Sequence, residues 1–118
     1  MAIIESELRG TDIMPFAEAQ REASVVEVPV GFGRFIGVAD ENGDNFVSVR
    51  LKGSEKVYAR ECHDGHESIV GNVKLSKGES YDVALGDDVV KIRAGERMGL
   101  TRVFEVEVPD GMTIQTGR

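Results

Sequence analysis

The chain has one cysteine, no tryptophan, three prolines and no extended apolar run. A single thiol cannot close an internal disulfide, so the fold must be held by its core, and a reducing compartment is the simplest expectation. The longest apolar runs are a handful of residues, whereas a membrane-spanning helix needs roughly 20. The opening residues, Met1-Ala2-Ile3-Ile4-Glu5-Ser6-Glu7, are acidic and lack the basic n-region of a secretion signal. The expected location is therefore the cytoplasm, or a particle assembled there. Positive charge is also scarce, since 14 Lys and Arg face 21 Asp and Glu, for a formal net charge of -7. Such a surface offers few counter-ions to a phosphate backbone, which argues against nucleic acid as a partner. A membrane partner is not expected either.

What is present suffices for one domain. The 118 residues are 41% hydrophobic, and domains commonly run to about 100 to 150 residues. Charge is uneven along the chain: residues 1–28 carry six acids and two bases, a net of -4, while the remaining 90 carry only -3. This shift divides the chain into an acidic N-terminal arm, residues 1–24, and a body, residues 25–118. Within the arm, Pro15 can occupy a first helical turn, and residues 16–23 are good helix formers, so a short helix is expected. Phe16, Ala19 and Ala23 share one face of it. That stripe is too weak to hold a helix alone, which requires docking on the body or on a neighbouring subunit.

From Val25 onward the pattern changes to short β-rich runs punctuated by Gly, Asp and Asn. Strands are expected at 25–30, 35–39, 46–51, 56–60, 68–75, 81–85, 89–93 and 103–108, with 112–116 as a further edge strand. The fold class is all-β, an antiparallel β-sandwich or partly open barrel of seven to nine short strands. Register sharpens the expectation. A two-residue turn at Asn42-Gly43 sets Val38 opposite Val47 and Ile36 opposite Val49, and a Gly86-Asp87 turn sets Val83 opposite Val90 and Tyr81 opposite Ile92. A three-residue loop at Lys77-Gly78-Glu79 sets Leu75 opposite Tyr81 and Val73 opposite Val83, which would make 69–93 a three-stranded meander. Lys74, Asp82 and Lys91 would then line up across its wet face. In 103–108, Phe104, Val106 and Val108 point inward and Glu105 and Glu107 outward. The expected core is Val28, Val30, Phe35 or Ile36, Val38, Val47, Val49, Leu51, Val73, Leu75, Tyr81, Val83, Val90, Ile92, Phe104, Val106 and Val108.

Few residues carry chemistry. Cys62-His63-Asp64-Gly65-His66-Glu67 is the densest group of metal-capable side chains, and its spacing could place two of Cys62, His63 and His66 on one ion. A structural zinc site wants four ligands, and the chain holds one Cys and two His in all. A Cys-His nucleophile would need an orienting third group and an oxyanion hole. A polar connection turning at Gly65 is the simpler reading, and neither metal nor cofactor is expected. Residues 40–45, Asp-Glu-Asn-Gly-Asp-Asn, miss the EF-hand glycine and glutamate and read as a hairpin tip. The stretch 31–37, Gly-Phe-Gly-Arg-Phe-Ile-Gly, has neither dinucleotide nor P-loop spacing, and reads as a glycine-rich connection with Phe32 and Phe35 in the core. Asp87-Asp88 and the pair Glu105, Glu107 are expected on solvated turn and strand positions. In 94–100, Met98 and Leu100 either close the core, the safer expectation, or form a small exposed contact.

These observations favour a non-enzymatic structural or interaction module. It would be an accessory, decoration-type component of a larger assembly such as a viral or phage particle, meeting a protein partner or its own copies. Met14, Phe16, Met98 and Leu100 are the candidate interaction residues. The alternative is a small-ligand or carbohydrate-binding β-domain, disfavoured by the shortage of aromatics; a metal-dependent enzyme using the 62–67 loop ranks last.

Overall fold

Alternation of apolar and polar residues is realised as eleven strands, with no helix among the described residues. The computed structural model describes residues 3–6, 14–15 and 24–118. The strands are β1 (Ile3–Ser6), β2 (Met14–Pro15), β3 (Ser24–Gly31), β4 (Phe35–Ala39), β5 (Phe46–Leu51), β6 (Lys56–His63), β7 (His66–Lys74), β8 (Ser80–Leu85), β9 (Asp88–Met98), β10 (Thr101–Val108) and β11 (Thr113–Gly117). They form two sheets, one of seven strands ordered β2-β1-β11-β4-β5-β6-β7 and one of four ordered β3-β10-β9-β8. Every described pairing is antiparallel except β1 with β11, which runs parallel. The helix expected at 16–23, Phe16 included, lies outside the described residues.

One core lies between the sheets. Ile36, Val38, Val47, Val49, Leu51, Val57, Ala59 and Ile114 enter it from the larger sheet, and Val28, Val30, Val83, Leu85, Val90, Ile92, Ala94, Phe104, Val106 and Val108 from the smaller. Successive side chains of a strand point to opposite faces, so β5 buries Val47, Val49 and Leu51 and turns Phe46, Ser48 and Arg50 outward. Each such Val, Leu, Ile or Phe, once buried, stabilises the fold by about 1.5–3 kcal/mol before conformational entropy is charged against it. The expected inward set is buried or packed against the core, apart from Phe35, which is only half-buried because Ile36 takes the inward position of β4.

Short connections reproduce the local registers. Val38 faces Val47 and Ile36 faces Val49, and Val83 faces Val90 and Tyr81 faces Ile92. The first hairpin keeps this register with a different tip: the chain reverses through residues 40–43, where the Gly43 N–H donates to the Asp40 carbonyl (3.1 Å) and Gly43 takes φ of 76°. The third expected hairpin does not form. β7 pairs with β6, setting Val73 opposite Val57, and β8 pairs only with β9, so residues 69–93 are not one meander and Lys74 neighbours Lys56 rather than Asp82. Residues 75–79 instead carry the chain from one sheet to the other, with the Leu75 N–H on the Glu55 carbonyl and the Gly78 N–H on the Ala94 carbonyl. Val73 and Val83 do both face the core, but from opposite sides. A period of two specifies which face is buried and is silent about which sheet presents it. Residues 113–117 likewise join the sheet interior between β1 and β4 rather than forming an edge, and Ile114 is fully buried there.

Two polar ties close the ends of the core. At one end, Arg102 of β10 is 5% exposed and donates to the carbonyls of Gly95 (2.9 Å) and of Ser54 (2.5 Å), the latter in the β5–β6 connection of the other sheet. The β9–β10 pairing shifts register between Arg102 and Phe104. Gly95 sits in this bulge because a Cβ there would come within 2.8 Å of the Val103 carbonyl oxygen. At the other end, the Tyr81 hydroxyl of β8 donates to Glu61 Oε2 of β6 (2.5 Å), and His63 Nε2 lies 2.9 Å from Glu61 Oε1. Burial pushes the Glu61 carboxyl up, but the hydrogen bonds from Tyr81 and His63 and attraction to His63 outweigh it and hold the group below its ordinary value. Burial and the neighbouring carboxylate together push the Tyr81 hydroxyl upward.

Candidate functional site

The outward side chains of β4, β5 and β6 form a concave site on the outer face of the larger sheet. Phe35 lies opposite Arg50, and Arg50 opposite Tyr58. The next outward row runs from Gln115 of β11 through Gly37 and Ser48 to Arg60, and Phe46 lies one step nearer the hairpin tip. These groups, with Gly43, bound an open cavity of about 330 Å³. Gly37 is its floor: a Cβ there would stand 3.1 Å from the Val47 carbonyl oxygen and 3.2 Å from the Ser48 Cβ, so the strand pairing leaves little room for a side chain.

Its walls are held in place. The Arg50 guanidinium lies 5.7 Å from the centroid of the Phe35 ring and donates to the Gly33 carbonyl (2.5 Å), a cation–π and hydrogen-bonded placement that spends only part of its donor fork. Arg60 pairs with Glu67. The tip at 40–45 is locked by Asp40, whose carboxylate accepts from the Asp44 N–H (3.0 Å), the Asn45 N–H (3.4 Å) and Asn45 Nδ2 (3.0 Å). The Asn45 side chain foremost holds the Asp40 carboxyl below its ordinary value; burial opposes it, and the backbone N–H groups of Asn45, Gly43 and Asp44 add to the lowering. The tip is pinned in turn to the β6–β7 hairpin, because the Asp44 carbonyl accepts from the Gly65 N–H (2.8 Å) and from Cys62 Sγ (3.3 Å). Within this basin the side chains of Ser48, Tyr58 and Gln115 have no hydrogen-bond partner among the described residues. Rings, a partly spent guanidinium and unpaired polar groups around one concavity are what recognition of a small ligand needs.

The 62–67 group is dispersed rather than gathered. Asp64 and Gly65, with φ of 53° and 82°, form the two-residue tip of the β6–β7 hairpin, the left-handed pair that matches strand twist. Cys62 is buried beneath the neighbouring tip, while His63, the next residue along the strand, points to the opposite face and meets Glu61. His63 and His66 are cross-strand partners. Among the described residues, no group of three or more His, Cys, Asp and Glu is placed to hold a metal ion.

Elsewhere the structure corrects two assignments to the core. Met98 and Leu100 do not close it; they flank and occupy the tight β9–β10 turn, 61% and 76% exposed. Phe32, also expected inside, is more than half exposed, and its N–H donates to the Leu100 carbonyl (2.8 Å), which brings the two side chains to one end of the molecule. Hairpin geometry is the cause: Gly99, with φ of 63°, is the first turn residue, so β9 and β10 stay paired to their tips and project beyond the core. Met14 belongs to β2, which pairs with β1 at the sheet margin. Asp87 and Asp88 are exposed at the β8–β9 turn, and Glu105 and Glu107 are half-exposed on the outer face of β10.

Sequence reading missed the basin, although a signal was present. Outward positions of three successive strands carry Phe35, Phe46, Ser48, Arg50, Tyr58 and Arg60, with no acid, in a chain that is acidic overall. Comparison with protein-family models, with curated proteins and with solved structures finds no match to this chain.

Proposed function

We propose that the chain is a non-enzymatic interaction module built on a β-sandwich, an accessory subunit of a larger assembly. A decoration-type component of a viral or phage particle is the kind of role that suits it. The observation that carries this reading is the apolar end formed by Phe32, Met98 and Leu100, all more than half exposed. Phe32 and Leu100 line a cavity of about 300 Å³ together with Leu51, Arg97 and Arg102. Single exposed apolar residues need no explanation, but a group of them around one hairpin tip, rimmed by charge, has the character of a protein contact. Separation of Cys62 and His63 to opposite faces of β6 supports a role without nucleophilic chemistry. Met14 and Phe16 of the arm remain the further candidate interaction residues of this reading.

Light scattering on the full chain across a concentration series tests this reading. A discrete oligomer that dissociates in Leu100→Asp is expected; a monomer at every concentration would remove self-assembly. Substitution is preferable to deleting the arm, because β1 supplies the parallel neighbour of β11 and its loss would open that sheet. A second reading, a small-ligand or carbohydrate-binding domain, is favoured by the basin on β4–β6, where three of the chain's seven aromatic residues gather on one outer face.

A further inference from the structure

Charge distribution around the basin is the opposite of that of the protein. The chain carries a net -7, yet the described residues lining the basin include Arg50 and Arg60 and no acid. Glu67 balances Arg60 from outside that lining. Arg50 has no carboxylate partner among the described residues: one terminal nitrogen donates to the Gly33 carbonyl, and its remaining donors are not engaged. A half-buried guanidinium fixed against a ring in this way is pre-organised for a planar two-oxygen acceptor, which it can meet with two parallel hydrogen bonds.

Phe35, Phe46 and Tyr58 supply apolar, π-faced surface around that charge, and Ser48, Tyr58 and Gln115 supply donors and acceptors not spent among the described residues. A ligand matching all of these has a ring with an apolar face, several hydroxyl groups and one carboxylate. The floor at Gly37 lets such a ring approach the sheet backbone, and the cavity of about 330 Å³ is open to solvent. We infer that the basin binds an acidic saccharide, with the carboxylate of a uronic-acid-type unit on Arg50 and its ring against the aromatic wall. This inference rests on the ligand-binding reading of the same site and adds the chemical class. A polyphosphate strand would also find rings here, but Arg50 is the one guanidinium of the lining without a carboxylate partner among the described residues, which suits a single anionic group rather than a charge at every unit.

The test is titration of the full-length protein with three probes: a linear trisaccharide carrying one uronic acid unit, its neutral hexose counterpart, and a single-stranded dodecanucleotide. Heat is measured together with amide shifts at Gly37, Ser48 and Gln115. The expected result is binding of the acidic trisaccharide at least tenfold tighter than the neutral one, with shifts at those three amides. Arg50→Gln and, separately, Tyr58→Ala should each weaken it at least tenfold while the cooperative melting transition is retained. Equal binding of the neutral sugar would overturn the acidic class while leaving the ligand-binding reading in place. Tighter binding of the oligonucleotide would overturn the saccharide in favour of a stacked strand, and shifts confined to other amides would overturn the site. No binding of any probe would overturn both the inference and the reading beneath it.

Discussion

On the four-stranded sheet, outward positions form a charged ladder in which Asp82 faces Lys91 and Lys91 faces Glu107, with Arg93 beside Glu105 in the next row, 3.8 Å apart. On the seven-stranded sheet, the corresponding positions of β4, β5 and β6 hold Phe35, Phe46 and Tyr58 with Arg50 and Arg60. Both faces follow from the same alternation, and both lie over the same core. The ladder needs nothing more than water and its own cross-strand pairs. The basin leaves rings half-exposed, and its Ser48, Tyr58 and Gln115 side chains have no hydrogen-bond partner among the described residues. The two faces therefore differ in what their outward residues do for one another: one pairs its charges across strands, the other does not.

The comparison presumes that one core supports both faces, and Phe104→Asp is the severest way to break it. Removing the Phe104 side chain from a fully buried position costs about 3–5 kcal/mol, and an unpaired buried carboxylate adds to it in a domain whose total stability is on the order of 5–15 kcal/mol. The expected result is loss of the cooperative melting transition by circular dichroism. Survival of basin amide signals in that variant would show that the larger sheet folds without the smaller.

A milder cut is Tyr81→Phe, which severs the side-chain tie between the sheets and should lower neutral-pH stability by about 1.5 kcal/mol, since the lost hydrogen bond is to a charged group. Its pH dependence is the sharper readout. Glu61 has a folded-state pKa below its ordinary value of 4.5, so its stabilisation is complete above that value and is lost as pH falls through the lower folded one. Without the Tyr81 donor the two values draw together, and acid unfolding should begin at higher pH than in the parent. An unchanged acid midpoint would mean that Glu61 is not tied to Tyr81 in solution.

The smallest effect is expected on the ladder itself. Lys91→Glu places three acids in a row between β8 and β10, and should cost about 0.5–1 kcal/mol, reduced at high salt. Saccharide binding should not change, because Lys91 lies on the opposite sheet. If the melting temperature were salt-independent in both proteins, the ladder would be merely a solvated surface.

Much of the fold was legible before any coordinates. Strands β4 and β5 begin and end where β-branched runs meet glycine and aspartate, and the Val38–Val47 and Val83–Val90 pairs follow from counting outward from a short turn. The basin was not legible for a physical reason. Phe35 beside Ile36, and Phe32 two residues after Val30, read as core because apolar residues there are ambiguous by one step of register, and only the pairing with β5 shows Ile36 taking the inward place. Met98 and Leu100 were misplaced for a related reason. Hydrophobicity raises the odds of burial, but a hairpin that stays paired to its tip can outrun the core it grows from.

By itself, the sequence determined the all-β class of the body, the inward residues of most core strands, and the registers of the hairpins turning at 40–45 and 86–87, because these depend on a period of two and on residues a few positions apart. Tertiary structure alone decided that β7 and β8 part into different sheets, that Gln115 joins a row with Gly37, Ser48 and Arg60, and that Cys62 and His63 separate while Tyr81 finds Glu61. Those outcomes depend on which distant surfaces fit together around one core, a sum over many weak contacts that no local pattern encodes.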